Sequence, residues 1–172
     1  MDAMISINPP YTRMIFGGTK PMEFRKKVLN DMLKEDPEMD VYIYETKNHG
    51  GYGKVIGKTK IENVYKVFYE NEPEETNHTL VQERFHCVKD LYYIWCEKLR
   101  KRPNYKEGWF KDTCFKKYKK SIGWGYPQNF NYAILFSNIT LFEEPKDLDE
   151  FVGSKGEILK RPPQNMCFCK LM

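Results

Sequence analysis

The sequence predicts an α+β fold: a small, mostly antiparallel β-barrel with flanking helices and a helical insertion. Three observations carry this. Strand-like runs outnumber helical ones and do not alternate regularly with them, as a parallel α/β chain requires. Apolar side chains alternate with polar ones over 54–68 and 132–142. From Val81 to Leu99 they instead recur in steps of three and four, which marks a long amphipathic helix. The 172 residues suit a single domain, 1–172, with the insertion at about 70–105.

Taken in order, "MISIN" at 4–8 reads as a short strand. "PPYTRMIFGG" follows, with prolines suited to a first helical turn and Gly17-Gly18 suited to a stop, so a helix is placed over Pro9 to Phe16. "TKPMEFRKKV" alternates and reads as a strand with Pro21 at its start or edge. "NDMLKEDPEM" is turn-like with room for one helical turn. "VYIYET" at 41–46 is β-branched and aromatic, a strand, and "KNHGGYG" a loop. The strand over 54–68 contains Gly57, which marks a bulge or a barrel corner. An acidic break precedes the long helix, whose start Asn77 or Thr79 can cap and which Pro103 ends. A shorter helix is placed over Trp109 to Lys120, a strong strand over 132–142, and a turn, with room for a short helical segment, and a loop over "EEPKDLDEF" and "VGSKGEI". "RPPQNMCFCKL" is a proline-bent approach to a last strand.

Aromatic residues make up 15% of the chain, enough to build a core despite few Leu and Ala, and also enough to stack on bases. The net charge of +4 is too mild to diagnose a nucleic-acid binder. Its distribution says more, because Lys98 to Lys120 holds ten of the 28 basic residues and two of the 24 acids. The N-terminus "MDAMISINPP" lacks the basic and apolar regions of a signal peptide, and no run is long and apolar enough for a membrane helix. The five cysteines lack framework spacing, which points to reduced thiols and a cytoplasmic setting. Cys167 and Cys169 share a strand face, but no C-x-x-C pair supports a zinc site with His86 or Cys87; buried thiols are the plainer reading, and no metal or cofactor is expected. The three histidines show no nucleophile partner by spacing, and "GYGKVIG" lacks the helix that a phosphate loop needs.

The densest chemistry is "GGTKPMEFR" at 17–25. Strand alternation puts Glu23 and Arg25 on one face, with Met22 and Phe24 on the other. Lys20 and Arg25 can contact phosphate or a base carbonyl, and Glu23 can accept from an exocyclic amine. The competing reading is a solvated face with a Glu–Arg ion pair of little worth. Tyr11 can stack on a base or pack in the core. Arg161 can bind phosphate and Gln164 a base edge, or both can flank a rigid approach to the last strand. In the basic stretch, Lys116, Lys117, Lys119 and Lys120 interleave with aromatic residues, which suits either a backbone-tracking nucleic-acid surface or a solvated helix face.

Gly18, Lys20, Glu23 and Arg25 fit the pattern G-x-K-x-x-E-x-R in full. This resembles the signature of the ASCH family, within the PUA-like superfamily. "SINPPYTRMIFGG", "VYIYE" with "KVIGKTKIENV", "FKKYKK" before "NYAILFSNITLF", "EEPKDLDEF" and "RPPQ" resemble the family's other elements in order. The insertion and the loop "GWGYPQNF" are longer than the family pattern. The resemblance implies a PUA-like barrel, a cleft beside the first helix, and RNA or a nucleotide as ligand. It also implies an alternative, an enzyme of the same fold: an amidohydrolase on an acylated nucleoside, or a ribonuclease. A small branch of the superfamily deacylates modified cytidine with a Lys, a Thr and a Glu. Its Lys maps onto Lys20, its Thr falls at Glu23, and Glu75 or Glu83 stand in the region of its Glu. A carboxylate cannot replace a hydroxyl nucleophile without changing the mechanism, so in an enzyme Lys20 would act as base or charge stabiliser and Glu23 would move protons. A third reading is a protein-interaction module using the long helix.

Overall fold

The structure is a computed structural model, and it describes residues 1–34, 37–68, 85–101 and 131–172. In chain order these form β1 (Asp2–Ile7), α1 (Pro9–Phe16), β2 (Met22–Arg25), β3 (Asp40–Glu45), β4 (Lys54–Phe68), β5 (Phe85–Cys87), α2 (Val88–Arg100), β6 (Tyr132–Lys146), β7 (Phe151–Gly153) and β8 (Met166–Leu171). Short 3-10 turns cover Asn30–Leu33, Asn48–Gly50 and Leu148–Glu150. The strands join in one sheet of order β2-β6-β4-β3-β1-β8-β7, with β5 added beside β4. The β1–β3 and β4–β5 pairs are parallel and the others antiparallel.

The α+β class and the mostly antiparallel sheet are as the sequence predicts, but the ladder does not close into a barrel among the described residues: its ends are β2 and β7. The sheet nevertheless curls. On that path β1 lies four strand spacings from β2, about 19 Å if the sheet were flat. Yet Arg25 at the end of β2 donates from Nη2 to the Ser6 carbonyl of β1 over 2.6 Å. An arginine side chain cannot span the flat distance, so curvature has brought the two strands together.

Period-two alternation buries both faces. Ile5, Ile7, Val41, Ile43, Ile134 and Phe136 point to one side, where Ile15 of α1 packs. Met4, Tyr42, Tyr44, Val55, Phe151 and Cys169 form a core on the other. A third core joins Met22, Phe24 and Leu135 to Leu91, Trp95 and Leu99 of α2. Gly57 lies at the predicted bulge: the β3–β4 register shifts between Ile43 and Tyr44, leaving Ile56 unpaired. A Cβ there would fall 2.4 Å from the Thr140 carbonyl and 2.5 Å from the Phe16 ring, so only glycine lets α1 sit this close.

Three assignments are corrected. The long helix begins at Val88, not Val81, because Phe85–Cys87 is a strand along Lys66–Phe68. That ladder satisfies backbone groups the first turn would otherwise use. Phe151–Gly153, read as the end of a turn and the start of a loop, is a strand paired with β8. The strand at "TKPMEFRKKV" is confined to Met22–Arg25. The caps at Asn77 and Thr79, the helix over Trp109 to Lys120 and most of the insertion at 70–105 lie outside the described residues.

Candidate functional site

The geometry begins at the end of α1. Gly18 adopts φ +87°, and a full αL stop follows: Gly18 N–H donates to the Ile15 carbonyl (3.1 Å) and Thr19 N–H to that of Met14 (2.8 Å). Lys20 N–H also donates to Met14 (3.0 Å), so the turn delivers Lys20 at a fixed angle before Pro21 opens β2. Register then sorts the strand. Met22 and Phe24 pair with Leu135 and Ala133 and face α2, whereas Glu23 and Arg25 pair with Ile134 and Tyr132 on the other side. The alternation read from sequence is the one observed.

Lys20 is 1% exposed. Its ammonium donates to the Met22 carbonyl over 2.8 Å and lies 3.2 Å from Glu23 Oε2. Three rings surround it, those of Tyr11, Phe24 and Trp95, at 5.6, 5.5 and 5.6 Å. Burial lowers its pKa from the ordinary value; the Glu23 carboxylate opposes that shift and the Arg25 charge adds to it. Glu23 is shared, its other oxygen lying 3.0 Å from Arg25 Nη2. Arg25 Nη1 reaches Asn165 Oδ1 over 3.1 Å. Its Nε is buried with no hydrogen-bond partner among the described residues.

The predicted site residues divide by accessibility. Lys20, Glu23 and Arg25 come together, with Tyr11 half-buried beside them. Lys20 is covered, so it meets the surroundings through Glu23. Arg161 and Gln164 are exposed, and Gln164 sits between Pro163, whose carbonyl accepts from Ser6 Oγ (2.7 Å), and Asn165. The segment therefore adjoins the Arg25 corner. Lys116, Lys117, Lys119, Lys120, Glu75 and Glu83 lie outside the described residues, as do the side chains of His86 and Cys87. Cys169 is buried and Cys167 half-buried, with burial raising both thiols, Cys169 to about 12. No three His, Cys, Asp or Glu side chains among the described residues converge as metal ligands. Sequence reasoning missed Ser6 and Asn165, which carry no chemical signature of their own, and Trp95, which looked like one more core position on the stripe.

It also missed a second constellation. Thr12 of α1 donates to buried Glu45, whose other oxygen accepts from Tyr52 N–H over 3.1 Å, tying the helix to the 46–53 loop. Beside this loop runs a groove of about 700 Å³, lined in part by Tyr44, Lys47, Leu148, Asp149, Leu159 and Lys160. None of Lys20, Glu23 or Arg25 lines it.

A curled, mostly antiparallel sheet, with a helix after its first strand and a lysine–glutamate–arginine cluster on its second, defines a small α+β domain. Its particular fold is the ASCH fold. The ASCH protein of Zymomonas mobilis superposes with TM-score 0.56 at 18% identity, covering 98% of this chain and 87% of that one. Its serine-to-alanine mutant gives 0.55 at 18%, covering 98% and 88%, and its tyrosine-to-phenylalanine mutant 0.56 at 17%, covering 98% and 90%. At this identity the likeness is one of fold. No protein-family model matches the sequence, and no curated protein matches it. No helix among the described residues is long and apolar enough to cross a membrane.

Proposed function

We propose that this chain is an RNA- or nucleotide-binding module whose ligand meets the protein at the Glu23–Arg25 corner. The observation that carries the reading is Arg25 Nε, a buried donor of a cationic group with no hydrogen-bond partner among the described residues. Such a group costs on the order of 1–3 kcal/mol, and an acceptor on a ligand would relieve it. A ligand there would use the Glu23 carboxylate for an exocyclic amine and the Tyr11 ring for stacking, with exposed Arg161 and Gln164, on the segment that leads to Asn165, for phosphate and base edge. Lys116, Lys117, Lys119 and Lys120 would extend the surface along the backbone. Lys20 positions Glu23 from beneath.

The test is the affinity of a labelled single-stranded RNA, and of nucleotides, for the full chain at increasing salt. Affinity should fall with salt. Tyr11→Ala and Gln164→Ala, at partly exposed positions, should weaken binding roughly tenfold in combination, the order expected for one lost stack. Binding that ignores salt, or survives Lys20→Ala with Arg25→Ala in a protein that still folds, sinks the proposal.

A second reading rests on a separate observation: an amine with a lowered pKa held against a carboxylate is the arrangement of an acid–base pair. The enzyme would be an amidohydrolase on an acylated nucleoside or a ribonuclease, with Lys20 as base or charge stabiliser and Glu23 moving protons. Turnover of N4-acetylcytidine, or metal-free cleavage of RNA, that Lys20→Met abolishes while binding persists would establish it. The helix-docking reading draws no such support, since Leu91, Trp95 and Leu99 are spent on the sheet.

A further inference from the structure

We infer that the groove between the 46–53 loop and the 147–162 segment binds a nucleoside monophosphate whose base carries an exocyclic amine. This goes beyond the reading above, because no lining residue belongs to the Glu23–Arg25 corner. The volume of about 700 Å³ falls within the range of small-ligand sites. Its chemistry is divided. Lys47 and Lys160 supply two cations with no charge partner among the described residues. The Lys47 stem runs along the loop backbone. Gly53, at φ +66°, has no Cβ, and one would lie 2.5 Å from the lysine Cγ and 2.6 Å from its Cε. The stem therefore lies across the glycine backbone. Lys160 follows Leu159, whose N–H donates to the Phe151 carbonyl over 2.9 Å, so the backbone beside it is fixed on β7.

The apolar part of the groove comes from Leu148, Leu159 and the ring of Tyr44. Tyr44 is 5% exposed, and its hydroxyl has no hydrogen-bond partner among the described residues. Of the two acids, Asp147 is neutralised by Lys54 at 3.0 Å and caps the turn over Leu148–Glu150. Asp149 has no such partner. A bare phosphate or an acidic peptide would leave that carboxylate opposed. An amine-bearing nucleotide satisfies both ends: phosphate on Lys47 and Lys160, ring against the apolar wall, and amine on Asp149.

The test is an NMR titration of the full chain with AMP, adenosine and IMP. Saturable shifts at Lys47, Gly53 and Lys160 are expected with AMP, with affinity at least tenfold weaker for adenosine. Lys47→Ala with Lys160→Ala should abolish that tenfold gain, and Asp149→Asn should abolish a preference for AMP over IMP. These positions are exposed, so the variants should fold. Groove shifts that persist in Gln164→Ala protein support a site separate from the corner. Shifts confined to Tyr11, Arg25 and Gln164 overturn the groove while sparing the corner reading. Equal shifts with sodium chloride at matched ionic strength, or none with AMP, also overturn it.

Discussion

The Lys20–Glu23 contact is where sequence and structure part most instructively at the scale of single residues. The alternation of Glu23 and Arg25 against Met22 and Phe24 was legible, because a strand has period two. The burial of Lys20 was not, since its cover includes Trp95 from α2, and no local pattern says where a helix will lie. That burial has a thermodynamic consequence. With its pKa lowered from 10.5, folded Lys20 holds fewer protons than the unfolded chain between the lowered value and 10.5. Stability therefore rises with pH across that window. Glu23 is the largest influence opposing the shift, so Glu23→Gln should lower the lysine further. Stripping a buried charge of its partner costs about 3 kcal/mol near neutral pH. The deficit relative to the parent should shrink as pH rises toward the ordinary lysine value of 10.5, because the folded amine loses its charge below that value. Urea unfolding across that range reads it, and a deficit independent of pH would show that the contact is not electrostatic.

Elements were legible where local chemistry decides them and obscure where distant pairing does. Pro9-Pro10 and Gly17-Gly18 bracket α1 in both readings, since proline suits a first turn and only a residue tolerant of φ +87° ends the helix this way. Gly57 announced a bulge because a residue without Cβ suits a bend or a close approach, here that of Phe16 and the Thr140 carbonyl. Phe85–Cys87 deceived, because its apolar spacing also suits a helix and only the edge of β4 makes it a strand. Two predictions belong here. Gly57→Ala would drive a methyl into Phe16 and the Thr140 carbonyl, and should cost about 1–3 kcal/mol by lifting α1 from the sheet. Thermal unfolding measures it; an unchanged midpoint would mean the helix has slack that the structure does not show. Trp95→Ala should cost about 3–5 kcal/mol, because the ring is 2% exposed and seats α2 on β2 and β6. It also removes one wall of the Lys20 enclosure, so the lysine should become reactive toward amine-modifying reagents. Loss of stability without that reactivity would place the lysine's protection elsewhere.

The whole molecule turns on how an open ladder stays curled. A barrel was the natural expectation from alternating strands and a bulged glycine, but no backbone ladder joins β2 to β1 or β8 among the described residues. Side chains make the join instead. Arg25 reaches the Ser6 carbonyl of β1 and Asn165, and Asn165 Nδ2 returns to the Lys27 carbonyl over 3.0 Å. Sequence could not show this, because the partners lie near opposite ends of the chain and two are backbone carbonyls, which carry no residue signature. The same guanidinium closes the sheet through its Nη groups, while its Nε has no hydrogen-bond partner among the described residues; under the proposed function a ligand acceptor would meet it there. Arg25→Met keeps much of the bulk and removes the donors. It should cost about 3 kcal/mol, the order of one or two hydrogen bonds from a charged group. The loss should be local before it is global. Amide exchange should quicken at Ser6, whose N–H donates to the Asn165 carbonyl over 3.2 Å, and along Met22–Arg25, while the β3–β4 ladder keeps its protection. If every strand loses protection equally, the curl is maintained by the core and Arg25 is not its clasp. If none does, the corner is rigid without it.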